Sequence, residues 1–338
     1  MNLGEQVLLS SLTTLRVGGP AAAVISCTSV EEIEEALAYA KEHNLPYYVL
    51  GGGSNVLVSD DGYQGLIIRI RTDGISFSEE GDTVLVSSAA GASWDDLVTE
   101  AASRGLWGIE NLAGIPGTVG AAPIQNIGAY GAELAGTLRS VDVLDSITGK
   151  RMQLSAVDCA LGYRDSRFKH EPNLIVLSVT LALQKQGSPK IEYKDLLALQ
   201  ERGVDLSTPE AIGKAVREVR KGKFPDLHTT GTAGSFFKNP ILTPERFAEL
   251  KERFGDIPSF PNPKGIKIPL AFVLDRVLSL RGFRQGPAWL FGSQPLVLAL
   301  DAGGTAHDVE SLARLVEQKV FDATGITIER EVRTMPTK

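Results

Sequence analysis

The chain has 338 residues, enough to bury a sizeable core and to form two or three domains. Its 43% hydrophobic and 22% charged residues exclude a disordered chain, and its net charge of −7 excludes a general nucleic-acid binder. Two cysteines, Cys27 and Cys159, show neither CxxC nor zinc spacing, which excludes a disulfide scaffold and fits a reducing compartment. In chain order, Ser29 and Glu32 make a capping-box pattern ahead of Ile33, Ala36, Leu37 and Ala40, which predicts a helix ending near His43 and Asn44. Short strands are predicted over 46–50, 56–58 and 66–70.

A second unit begins with a strand over 83–88. Ser93 caps a helix that closes at Gly105. Strands follow at 141–144 and 174–183, then a loop-rich region over 187–208. Ser207-Thr-Pro-Glu210 opens a helix, with cap, Pro at the first position and acid in the first turn. Its last turns hold Arg217, Arg220, Lys221 and Lys223, where cations suit the helix dipole as well as they suit a phosphate. A third unit starts near Lys223. It has helices from Pro244 and over 269–280, a buried strand over 295–301 and a helix over 307–323. The alternating tail over 327–333 reads as a strand with Ile326, Ile328 and Val332 on one side and Thr327, Glu329 and Glu331 on the other.

Two glycine-rich stretches stand out. Gly51-Gly-Gly-Ser-Asn55 follows a strand, but Val56 breaks a dinucleotide fingerprint and no Gly-Lys pair is followed by Ser or Thr. What remains is either an anion-binding nest of backbone N–H groups or a plain left-handed turn. The segment 114–131 has five glycines and two prolines in 18 residues and almost no charge. It lets backbone approach either a flat ligand or a neighbouring sheet. Gln125 and Asn126 can supply donors and acceptors there. The four histidines at 43, 170, 228 and 307 are scattered, so no metal site is expected.

Four later motifs complete a pattern: Gly162-Tyr-Arg-Asp-Ser166, Gly231-Thr-Ala-Gly-Ser-Phe-Phe-Lys-Asn-Pro240, Gln294-Pro-Leu-Val297 and Glu329-Arg-Glu-Val-Arg333. With both glycine-rich stretches, in this order, the chain resembles the UDP-N-acetylenolpyruvoylglucosamine reductase family along essentially its whole length. The resemblance implies an α+β (mixed α/β) fold. An FAD-binding part of the vanillyl-alcohol-oxidase (PCMH) type would comprise subdomains 1–70 and 71–218, with an α/β substrate domain over 219–338. It implies non-covalent FAD on Gly51, Gly52, Gly53, Ser54, Asn55, Ile115, Gly120, Ala121, Ala122, Ile124, Gln125, Asn126, Gly128 and Arg333. It implies UDP-N-acetylglucosamine enolpyruvate bound by Tyr163, Tyr193, Arg220, Lys223, Asn239 and Gln294. Tyr193 looks like the mobile tyrosine of the class with an extra loop and a split βαββ segment. NADPH is the implied co-substrate, in a cytoplasmic monomer of peptidoglycan precursor synthesis with no nucleic-acid or membrane partner.

The same resemblance assigns catalysis to Arg164, Ser235 and Glu331. Hydride passes from NADPH to flavin N5 and then to C3 of the enolpyruvyl group, and charge grows at C2 and its carboxylate. Arg164 would steady that charge with its planar fork. Ser235 would protonate C2. An ionised Glu331 would repel the intermediate, so it is expected protonated in the reactive complex. The residues alone also admit an Arg164–Asp165 surface pair, a turn serine and a solvated glutamate. The chain departs from the family in having Arg330 where Glu-Pro-Glu is usual. An extra residue near 275–281 weakens the assignment of Arg281 to phosphate, and Phe260 stands where some members have tyrosine. Two other readings are an FAD oxidase of the same fold and a non-catalytic nucleotide-sugar-binding module. The first often tethers flavin through His or Cys, which neither glycine-rich stretch contains.

Overall fold

In Leu138–Asp145 and Leu174–Gln184, apolar and polar residues alternate, so each strand has one face to bury. The computed structural model, which describes residues 3–337, pairs them with Val141 opposite Val179 and Asp142 opposite Ser178. They form the middle of a five-stranded antiparallel sheet, ordered Lys150–Ser155, Leu138–Asp145, Leu174–Gln184, Thr83–Ala89, Ile75–Glu80. Val86, Val141, Val143, Val179 and Leu181 enter the core. The other face is polar: the Ser87 and Thr180 hydroxyls lie 2.6 Å apart, and the Ser178 hydroxyl donates to Asp142 at 2.6 Å.

A four-stranded sheet precedes it, ordered Leu3–Leu8, Pro20–Cys27, Tyr63–Ile70, Tyr47–Leu50. The last two strands are parallel, and the helix Val30–Glu42, which connects Pro20–Cys27 to Tyr47–Leu50, buries Ile33, Ala36 and Ala40. Ser29 accepts from the Glu32 N–H as a helix cap should, while the Glu32 carboxylate takes the Thr28 N–H. Cys27 and Cys159 are buried, and burial pushes both thiols up to about 11. Together these elements make one compact unit of residues 1–7, 21–52 and 64–221.

The other unit contains residues 8–20, 53–63 and 222–338. The first two segments fall inside the part that the contiguous division assigns to the first FAD subdomain. This unit holds a four-stranded sheet, ordered Gly231–Ser235, Val297–Leu300, Ala288–Leu290, Arg284–Gln285, and a three-stranded one around Gly265–Lys267. The helix Ala306–Thr324 is capped by a full Thr305–Asp308 box and buries Val309, Leu312, Val316 and Val320. Arg333–Thr334 pairs in parallel with Val56–Leu57.

Three expectations need correction. The loop-rich region contains the helix Lys194–Glu201, because Leu196 finds a fully buried place. The helix expected over 269–280 is α-helical only at Leu270–Phe272 and continues as a π-turn over Val273–Val277. The tail over 327–333 forms no continuous strand. A single antiparallel bridge, Phe237 to Arg330, precedes the short pair at Arg333–Thr334. The facing nevertheless follows the alternation, with Ile326, Ile328 and Val332 buried. The strands Leu3–Leu8, Pro20–Cys27, Ile75–Glu80 and Lys150–Ser155 were not predicted: two are polar edge strands, and Pro20–Cys27 is rich in alanine. Among the described residues no helix is long and apolar enough to cross a membrane, and no His, Cys, Asp and Glu group could hold a metal.

Candidate active site

The two glycine-rich stretches meet within the first unit. A Cβ on Gly51 would lie 2.5 Å from the Thr118 hydroxyl, and one on Gly52 2.8 Å from the Gly117 Cα. Close backbone approach therefore demands glycine at 52, while at 51 the tight contact is with a side-chain hydroxyl. The rest of the second stretch is a chain of short 3-10 turns at Val119–Ala121 and Pro123–Gln125. Gly120 lies along the sheet: its N–H donates to Ala90 at 2.8 Å, and a Cβ there would sit 2.6 Å from that of Ala90. Ile115, Ala121, Ile124, Gln125 and Gly128 stay half-buried, while Ala122 and Asn126 are buried.

Asn126 sits at φ +46° and spends its side chain internally. Its amide donates to Glu133 and to the Gly162 carbonyl, each at 3.0 Å, and its Oδ1 accepts from Ala135 N–H. These bonds hold the side chain in place within the segment. Arg164, at φ +52°, caps a tight turn closed by the Gly162–Asp165 bridge. Its guanidinium donates to Gly128 O at 2.8 Å and Asn126 O at 3.4 Å, and stands 5.9 Å from the Tyr163 ring. Asp165 pairs with His170 at 3.1 Å, so the Arg164–Asp165 surface pair does not form.

The basic cluster separates by role. Arg217 is bound to Asp95 at 2.8 Å, whose carboxylate also takes the Gly114 N–H, and Lys221 pairs with Glu218. Arg220 donates to Gly114 O at 2.9 Å, from one turn before Lys223. Tyr193 precedes the helix Lys194–Glu201 and packs edge-on against Tyr130 at 5.1 Å. Buried Asn111 ties this region down: its amide donates to both Tyr130 O and Lys190 O at 2.7 Å. Burial pushes the Tyr130 hydroxyl up to about 12, so it remains a neutral donor. Asn111 and Tyr130 were not singled out in the sequence, although both lie in or beside the glycine-rich segment.

In the second unit, Ser235 ends the strand Gly231–Ser235 beside Gly234, whose φ is +77°. The carbonyl of the next residue, Phe236, accepts the Glu331 N–H at 2.8 Å. Ser235 and Glu331 thus stand at one junction, built on the buried Phe236 and Phe237 rings. Asn55 joins from the other side: its amide donates to Glu331 O at 3.3 Å and its carbonyl accepts Arg333 N–H at 3.2 Å. Gly53 is left-handed at φ +63°, with Leu12 O only 2.0 Å from where a Cβ would be. Ser54 is half-buried between Gly53 and Asn55. Asn239 accepts the Leu270 N–H at 2.9 Å and so caps that short helix, and Gln294 holds the turn before Val297. Arg281 is clamped on Asp275 by two 2.8 Å bonds, and Phe260 is exposed.

The residues fit a flat, anionic cofactor. Two convergent glycine-rich stretches present peptide groups at positions without Cβ atoms. A surface cavity of about 810 Å³, lined by Thr72, Ser87, Asp142 and Gln153 among others, holds none of the expected site residues.

Residues 21–155 match the FAD binding domain family, and residues 226–335 match the C-terminal domain of UDP-N-acetylenolpyruvoylglucosamine reductase. The UDP-N-acetylenolpyruvoylglucosamine reductase of Pseudomonas aeruginosa is 36% identical over 98% of both chains. The chain belongs to the UDP-N-acetylenolpyruvoylglucosamine reductase family. That of Pseudoalteromonas atlantica is 37% identical, covering 100% of this chain and 97% of its own. The crystal structure of the reductase from Thermus caldophilus superposes with a TM-score of 0.70 at 28% identity, covering 99% of this chain and 100% of that one. A reductase of this family is an FAD-dependent oxidoreductase, and the mixed α/β fold with its FAD binding domain is in place here.

Proposed function

We propose that this chain reduces UDP-N-acetylglucosamine enolpyruvate to UDP-N-acetylmuramate with NADPH, a cytoplasmic step of peptidoglycan precursor synthesis. The observation that supports the reading is the 2.8 Å bond from Glu331 N–H to Phe236 O, which brings the backbone of Glu331 beside that of Ser235. When bound, FAD would supply the hydride chemistry between NADPH and the enolpyruvyl group.

The remaining work falls to side chains. Residues 51–55 and 114–128, Asn126 among them, hold the cofactor with Arg333, chiefly through peptide groups. Arg164 steadies the substrate carboxylate as charge builds on it; its backbone turn is fixed by the Lys169 ammonium on Arg164 O at 2.6 Å. Ser235 hands its hydroxyl proton to C2. A serine is a weak acid, but the carbanion it meets is a strong base. Glu331 borders the same centre. Lys223, Arg220 and Tyr193 take the diphosphate, and Tyr163, Asn239 and Gln294 the rest of the substrate.

Ser235→Ala separates these roles. The variant is expected to keep flavin reduction by NADPH and to lose turnover of the enolpyruvyl substrate. Unimpaired turnover would remove Ser235 as the proton donor. A preparation that is colourless and ignores added FAD would sink the whole reading.

A further inference from the structure

Glu331 has a neighbour whose charges the reaction does not use. The Arg330 guanidinium donates to Glu317 at 2.6 and 3.0 Å and to Glu310 at 2.6 and 3.2 Å. Both glutamates project from the helix Ala306–Thr324. The Arg330 guanidinium carbon also stands 5.8 Å from the centre of the Phe236 ring. One side chain therefore links the long helix, the residue after Ser235 and the residue before Glu331. Exposure of 23% for Arg330, 27% for Glu310 and 30% for Glu317 marks a partly buried set, less screened than a surface pair.

The backbone needs such a link. Segment 329–332 meets 235–238 through a single bridge, made by Lys238 N–H to Glu329 O and Glu331 N–H to Phe236 O, both 2.8 Å, with a longer Val332 N–H to Phe236 O bond at 3.4 Å and a Lys238–Glu329 ion pair at 2.8 Å beside it. So short a pairing fixes register weakly, and a slip of one residue would turn Glu331 to the opposite side. Those bonds use neither peptide group of Arg330, so position 330 is open to a proline, the residue its resemblance would put there. Proline would stiffen the chain through φ. Arginine does so through a two-pronged, planar grip that lysine cannot copy.

The geometry points to Arg330 as a positioning residue for substrate reduction: its clamp on Glu310 and Glu317 sets the register of 329–332 against 235–238 and so aims Glu331 beside Ser235. This rests on the reading of Glu331 given above. Removing Arg330 alone would strand Glu317 and leave Glu310 only its 2.7 Å bond from Arg314, so the informative variant is Arg330→Met with Glu310→Gln and Glu317→Gln, which leaves only the exposed Arg314 without its carboxylate. The holoenzyme is reduced with dithionite and mixed with UDP-N-acetylglucosamine enolpyruvate, and flavin reoxidation is followed by stopped flow. The triple variant should reoxidise more slowly, by up to about a hundredfold as expected for a misplaced group, with substrate affinity little changed. Arg330→Lys should fall between it and the parent. Adding Glu331→Gln to the triple variant should cost nothing further. A parental rate in the triple variant overturns the proposal, and so does a multiplicative loss on adding Glu331→Gln. If Glu331→Gln alone reoxidises at the parental rate, the Glu331 reading fails first and takes the Arg330 proposal with it.

Discussion

Arg164 and Gly52 carry the two sharpest single-residue constraints. Arg164 holds a left-handed backbone, φ +52°, with a long side chain, which costs energy unless its surroundings demand it. They do: its fork grips two carbonyls of 126–128 while Lys169 grips its own carbonyl. Arg164→Lys keeps the charge and loses the fork, so kcat is expected to fall by roughly a hundredfold, with a lowered melting temperature from the lost grip and with bound flavin near its parental value. Steady-state kinetics beside a flavin content decides this; an unchanged kcat removes Arg164 from charge stabilisation. Gly52→Ala forces a methyl to within 2.8 Å of Gly117 Cα, a backbone atom that cannot swing away. The overpacking is expected to cost about 1–3 kcal/mol and to lower flavin per protein on purification. Full flavin content with an unchanged melt would show that the contact is slack. At this scale the sequence told where glycine was needed but not why, since a turn and a close approach look alike. The close approach at Gly52 depends on Gly117, far along the chain. The internal use of Asn126 depends likewise on Glu133, Ala135 and Gly162.

Elements whose partners are local were the legible ones. The caps at Ser29, Ser93 and, before the helix expected from Pro244, Thr243 all accept from the N–H three residues on. The helix Lys194–Glu201 was not legible, because its one fully buried residue, Leu196, meets a core assembled elsewhere. The anchor of that region is Asn111, also distant in sequence. Asn111→Ala should loosen 187–203, which faster amide exchange there would report, and should raise KM for the UDP-sugar with flavin reduction unaffected. Unchanged exchange would assign the anchoring elsewhere. The hairpin after Leu138–Asp145 offers a pH test. Asp145 is held at about 2 by the Thr148 hydroxyl, then by the Asn173 amide and the Ile147 N–H. Its folded value lies below the ordinary one, so its contribution is complete above about pH 4 and is lost as pH falls toward about 2. Asp145→Asn should therefore flatten the fall of the urea midpoint across that window. Parallel curves for parent and variant would mean that the turn does not sense pH.

The whole chain is less linear than its motifs. The unit that carries Ser235 and Glu331 draws on residues 8–20 and 53–63 as well as 222–338. Motif order alone suggested contiguous parts, since nothing in the composition of 8–20 marks it as belonging with the C-terminal residues. Its contribution is specific. Leu15, Val17 and Leu57 are buried in the core of that unit. Thr14 exchanges hydrogen bonds with Thr232, and Val56–Leu57 supplies the strand for Arg333–Thr334. The Asp60 carboxylate takes the N–H groups of Ala306 and His307 at 2.8 and 3.0 Å, at the start of the long helix. Each lost apolar side chain is worth roughly 1.5–3 kcal/mol and the lost helix-end carboxylate about 1 kcal/mol. Their sum rivals the ~5–15 kcal/mol that a whole domain commands. A fragment of residues 222–338 is therefore expected to stay unfolded, with collapsed amide dispersion in NMR and no cooperative melt, although it contains nearly all of the second glycine-poor half of the motif pattern. The decisive comparison is the full chain cleaved near residue 222 but not separated: its C-terminal piece should keep its melt until the pieces are parted by denaturant, and should not regain it alone. A fragment that melts cooperatively by itself would show that the borrowed segments are decoration rather than part of its core.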